Sequence, residues 1–113
     1  MPKNIREIVE EKALLLRDVD GLGPGKASEE LVELSSLLAS INRECADKRW
    51  VLGVKKVQLL GEHKTASKAM IYAEGSEEYK GWLTAEEYRK AVLQMMQAIK
   101  YYLRNAESEF KNM

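Results

Sequence analysis

Apolar residues recur along this chain at the three-and-four spacing of helices, and no stretch alternates as a strand would. Ile5, Ile8, Val9, Lys12, Leu15 and Leu16 form the first such stripe, which predicts a helix over about residues 4–17 with Asn4 as its cap. Asp18 to Gly25 then supplies three glycines and Pro24, so residues 18–27 read as a turn. Ser28 reads as the cap of a second helix, with Glu29 and Glu30 placed favourably at its positive end. Leu31, Leu34, Leu38, Ile41 and Cys45 follow in the alternation of a coiled-coil seam.

Past Cys45 the pattern doubles. Leu52 and Leu59 continue the seam, while Trp50, Val54, Val57 and Leu60 open a second stripe, read as roughly a quarter to a third of a turn away. The helix is expected from Ser28 to about residue 60. Gly53 and Gly61 admit a kink or a break, and an extension to Glu74 stays open. Gly75 reads as a stop, and residues 76–82 as a short helical segment. Thr84-Ala85-Glu86-Glu87 has the form of a capping box, with Leu83 and Tyr88 set for a hydrophobic staple. Tyr88, Val92, Met95, Ile99, Tyr102 and Ala106 then make an unbroken seam, widened by Met96, Leu103 and Phe110, which predicts a helix over about 85–111. The expected fold is all-α: one helical domain in which an N-terminal helix precedes a long antiparallel helical hairpin.

A helix from Ser28 to Leu60 would be about 50 Å long. A compact globule of this chain length is only about 35 Å across. A helix apolar on two faces is usually covered on two sides. The expectation is therefore a helical bundle completed by oligomerisation, most simply a two-fold dimer, with Trp50, Val54, Val57 and Leu60 at the interface. A monomeric three-helix bundle, with the first helix folded over the second stripe, is the alternative.

Composition narrows the class further. At 113 residues, with 45% apolar and 32% charged residues, the chain fits one soluble domain. Its 18 basic and 18 acidic residues cancel, so no global field draws it to nucleic acid or to a membrane. Locally, residues 34–73 carry seven basic and three acidic side chains, the only basic excess in the chain. No window approaches a membrane span, and the charged N-terminus lacks a signal-peptide core. Cys45 is the sole cysteine, which fits a reducing, cytoplasmic setting.

Little in the sequence suggests catalysis. Cys45 and His63 are the only nucleophile-and-base pair, and a continuous helix would hold them about 27 Å apart. One cysteine and one histidine cannot supply a zinc-type shell, and no cofactor motif is present. Three of the four paired glutamates, Glu10-Glu11, Glu29-Glu30, Glu77-Glu78 and Glu86-Glu87, stand at or near expected helix starts and read as dipole partners. Gly21 to Ser28 fails as a P-loop, because Asp20 stands where the first glycine belongs and Ala27 replaces the serine or threonine. Lys48 and Lys55, like Arg49 and Lys56, repeat at seven residues, and with Lys64 and Lys68 they form a basic stretch. It reads first as a solvated face and second as a phosphate contact.

Two resemblances accompany these readings. Gly21, Leu22, Gly23 and Ala27 resemble the hairpin of the helix-hairpin-helix family of non-sequence-specific DNA binders. That resemblance implies that the glycine amides and Lys26 approach a phosphate. Asp20 departs from the usual proline, and Glu30 from an apolar position. Leu31 to Leu38, Glu78 to Leu83 and Ile99 to Arg104 together resemble small helical proteins of phages and prophages, which implies a viral origin and transfers no residue role. The expectation is a non-enzymatic, self-associating helical interaction protein. An accessory nucleic-acid binder, using Gly21, Gly23, Lys26, Lys48, Arg49, Lys55, Lys56, Lys64 and Lys68, ranks second.

Overall fold

A computed structural model describes residues 3–111, apart from the side chain of Phe110, so the widening of the last seam by Phe110 lies outside the described residues. The protein is all-α, with no strand among the described residues. Four helices follow in order: α1 (Ile5–Leu15), α2 (Gly23–Glu62), α3 (Ala66–Glu74) and α4 (Glu77–Lys111). A single 3-10 turn, Leu16–Asp18, extends α1.

Asn4 caps α1 as its type and place predict, its side-chain oxygen accepting from the Glu7 amide at 2.9 Å. α2 starts five residues earlier than Ser28. Gly23 takes φ +80°, which an L side chain rarely adopts, and turns the backbone into the helix. Pro24 then occupies the opening of the helix, where its missing N–H costs nothing and its fixed φ is already helical. The glycine-proline cluster thus starts a helix instead of extending the turn.

α2 runs through both Gly53 and Gly61 and stops at Glu62, so the extension to Glu74 is interrupted. Thr65 caps a separate helix there, its hydroxyl accepting from the Lys68 amide at 3.2 Å. Gly75 ends α3 as expected. The segments 76–82 and 85–111, read as two, are one helix. Ser76 accepts from the Tyr79 amide at 3.2 Å and already caps it. The Thr84 hydroxyl turns to donate to the Lys80 carbonyl at 2.9 Å, so the capping-box residues are absorbed into the helix interior.

The chain groups into two compact units. The first holds residues 1–40 and 88–113, the second residues 41–87. In the first, α1 and the opening of α2 share a core with α4: Val9, Ala27, Leu34, Leu37, Val92, Met96 and Ile99 are buried. The seam predicted for α4 holds, with Val92 and Ile99 fully enclosed and Tyr88, Met95, Tyr102 and Ala106 half-buried. In the second, Ile41, Cys45, Leu52 and Leu59 of α2 are buried, together with Ala69 and Ala73 of α3 and Ala85 of α4. Ala69 and Ala73 cluster with Leu59, and their small size permits close approach.

The two glycine environments separate experimentally. Gly23→Ala is expected to cost about 1–2 kcal/mol, because it forces a Cβ into the left-handed region. Gly53 has open space where a Cβ would stand, so Gly53→Ala is expected to stabilise the helix by about 1 kcal/mol. Urea unfolding at low protein concentration measures both.

Candidate functional site

Five of the six exposed large apolar side chains of α2 lie between residues 50 and 60, inside the second unit; Val32 is the sixth. Trp50 keeps 75% of its area in solvent, Val57 71%, Val54 54% and Leu60 52%. Leu52 and Leu59, between them in sequence, are nearly fully enclosed. At about 100° per residue, two positions of offset from Leu52 or Leu59 place Trp50, Val54 and Val57 about 160° from the buried seam. The second stripe is therefore nearly opposite the first, farther round than a quarter to a third of a turn; only Leu60, one position past Leu59, fits that estimate. A face this far round cannot be reached by the neighbours that cover Leu52. Val51 stays half in water beside it, and Met70, Ile71 and Tyr72 of α3 are exposed in the same unit.

The basic stretch surrounds these residues in sequence. Lys48, Arg49, Lys56, Lys64 and Lys68 are exposed, and Lys55 is half-buried. Lys48 lays its stem near Gly81 of α4, at 3.8 Å from where a Cβ would stand, so part of this side chain serves packing. His63, just past the end of α2, stacks on Tyr72 with ring centroids 4.3 Å apart and planes within 5°. Cys45 is buried on the seam side of α2, and the intervening helix keeps it about 27 Å from His63. No group of three or more metal-ligating side chains gathers among the described residues.

The turn before α2 carries its own polar contacts. The Gly21 amide donates to the Asp18 carbonyl and to its carboxylate, at 3.2 and 3.1 Å. Lys26 lies 3.8 Å from Glu29 and 3.4 Å from Glu30. The Gly21 amide and the Lys26 ammonium thus both lie against carboxylates.

Glu30 itself is the residue that the sequence reading misplaced. It reads there as a dipole partner at a helix start, yet α2 begins seven residues earlier and Glu30 is 99% enclosed. Lys12 of α1 donates to its carboxylate at 2.7 Å, and also to Glu33. Burial lowers the Lys12 pKa, but its hydrogen bonds to Glu30 and Glu33 and their negative charge outweigh it and hold the ammonium above its usual value. The hydrogen bond from Lys12 holds the exposed Glu33 carboxyl below its usual range. Two signals for this cluster stood in the sequence: Lys12 lies on the apolar stripe of α1, and Glu30 takes an apolar position of the hairpin pattern.

Compared with protein-family models, curated proteins and solved structures, the chain matches none. Every functional argument therefore starts from its own residues.

Removing Lys12 takes from the enclosed Glu30 its nearer cation and leaves Lys26 at 3.4 Å. Lys12→Ala is expected to destabilise the protein by roughly 3 kcal/mol, the low end for orphaning a buried charge. The double variant Lys12→Met/Glu30→Leu should recover most of that loss. The signs of the two shifts define the pH window. The raised Lys12 value gives stability that is complete below about pH 10.4 and disappears as pH climbs through the higher folded value. The lowered Glu33 value gives stability that is present above about pH 4.3 and disappears as pH falls through the lower folded value. Urea midpoints of wild type and Lys12→Met should therefore converge at high pH and draw closer, by the Glu33 share alone, at low pH.

Proposed function

We propose that this protein is a non-enzymatic helical interaction module that self-associates through the outer face of α2. The observation that carries the proposal is Trp50, with three quarters of its surface in water on the side of the helix away from the core. With Val51, Val54, Val57 and Leu60 it presents on the order of 600 Å² of exposed residue area, the upper end of what a lone soluble chain usually leaves bare. A stable dimer buries about 800 Å² per partner, so this face supplies most of what one needs. Trp50, Val54, Val57 and Gly61 also follow the four-three-four spacing that one helix presents to another.

A second copy is the occupant this face fits. An isologous interface needs one self-complementary patch, and a helical seam that is uncharged along its centre meets that need without a second type of surface. Two such helices with their α4 partners make the four-helix arrangement that covers both sides of α2. The burial of Cys45 and the stacking of His63 against Tyr72 agree with a non-catalytic role. The lone thiol suits a reducing, cytoplasmic setting.

Nucleic-acid binding is the second reading, favoured by the exposure of Lys48, Arg49, Lys56, Lys64 and Lys68. At the Gly21–Lys26 turn the Gly21 amide and the Lys26 ammonium already meet carboxylates, which gives the basic stretch more weight than the turn in this reading.

Light scattering after size-exclusion chromatography tests the first reading. Wild type is expected to elute as a dimer and Trp50→Glu as a monomer or an insoluble chain, with Val57→Glu behaving alike. A wild-type monomer at high concentration would remove the proposal. For the second reading, titration with duplex and single-stranded DNA at low salt should show an affinity that falls steeply with added salt. Weak binding at low salt, or a flat response, eliminates it.

A further inference from the structure

The first unit contains a cleft that the self-association face does not use. Its volume is about 920 Å³, within the range of small-molecule sites. One wall is the turn before α2, through Val19, Asp20 and Pro24, and the other is the last turns of α4. On α4, Tyr101 and Tyr102 bring two phenol rings, one exposed and one half-buried, and Glu109 lies two turns beyond Tyr102. The charged groups in the lining are both carboxylates, Asp20 and Glu109, and no basic side chain lines it among the described residues.

We infer that this cleft binds a small organic cation, an amine with an apolar body. Three observations converge on that chemistry. The rings offer π faces, which attract ammonium and guanidinium groups and repel anions. The two carboxylates give charge-assisted acceptors for N–H donors. Val19 and Pro24, with the small side chains of α4 facing them, leave apolar room for the body of the ligand. The cleft shares the 19–24 turn, where Gly21 already donates to Asp18 and Asp20 adds a further negative charge.

The same ammonium chemistry reaches a protein surface from two sources, a free amine or a lysine side chain of another protein, and the inference commits to the free amine. A three-dimensional cleft of this volume holds a whole small molecule, whereas one lysine arm would fill only part of it.

The test is a titration of the full chain with phenethylamine, its neutral analogue phenethyl alcohol, and the capped peptide acetyl-Ala-Lys-Ala-amide. It is followed by tyrosine-ring NMR signals and by calorimetry. Phenethylamine should give saturable shifts at Tyr101 and Tyr102, with Tyr72 and Tyr79 of the other unit unmoved as internal controls. Phenethyl alcohol and the peptide should each bind at least about tenfold more weakly, the loss expected from one charge-assisted contact or from unfilled apolar space. Asp20→Asn/Glu109→Gln should weaken phenethylamine by about tenfold or more while helix content stays unchanged. Equal affinity for amine and alcohol, an unaltered affinity in the double variant, or an absence of saturable shifts would overturn the inference. Tighter binding of the lysyl peptide than of the amine would overturn it too, by making the site a side-chain receptor.

Discussion

A carboxylate shut away from water must be answered by a cation, and in the first unit that requirement falls on Glu30. It sits among apolar side chains of α2 with about 1% of its surface exposed, and Lys12 comes from α1 to meet it. Val9 is the only buried residue of α1, so apolar contact alone holds that helix weakly. The ion pair therefore fixes where α1 lies along α2. Pairs of this kind are seldom large net stabilisers, since desolvation offsets most of the attraction, but they penalise every register that leaves the charge alone. The same carboxylate also lies 3.4 Å from Lys26, whose side chain stays about half in solvent. One buried charge thus constrains a packing geometry.

The second unit has the opposite character. Its enclosed residues are largely small, with three alanines and a cysteine among them, while bulky side chains stand outside. Nine of the thirteen large apolar residues that remain exposed in the described chain belong to this unit, so the excess of bare apolar surface is local to it. Single exposed apolar residues are ordinary on proteins. A contiguous helical face that carries an indole and several branched side chains is a feature that solvent alone does not favour.

Much of this was legible in the pattern of residues. The helical class, the seams through Leu34, Ile41, Cys45, Leu52 and Leu59 and through Val92 and Ile99, the Asn4 cap and the Gly75 stop all follow from spacing and local chemistry. Boundaries went astray where two local signals competed. Pro24 is a helix starter as well as a turn former, and a positive φ at Gly23 settled it as a starter. Thr84 begins helices in isolation, but Ser76 had already begun this one. Burial of Glu30 depends on a cation eighteen residues away, which no local window contains. The exposure of Trp50 and Val57 was readable in outline, as a stripe in excess of what one packing partner covers. Its angular position needed the count of residues from Leu52 and Leu59, and that count places it nearly across the helix. The cleft left no mark in the sequence, because it joins a turn to a helix end some eighty residues later.

The two tryptophans occupy contrasting surroundings. Trp50 keeps three quarters of its surface in water, whereas the indole nitrogen of Trp82 is sealed from solvent with no acceptor among the described residues and its ring tilts against Tyr79 at 5.8 Å. An indole emits at longer wavelength in a polar surrounding than in a dry one. The chain accordingly contains two optical reporters of separate events: coverage of the outer helix face moves the emission of Trp50 to the blue, and loosening of the interior beside α4 moves that of Trp82 to the red.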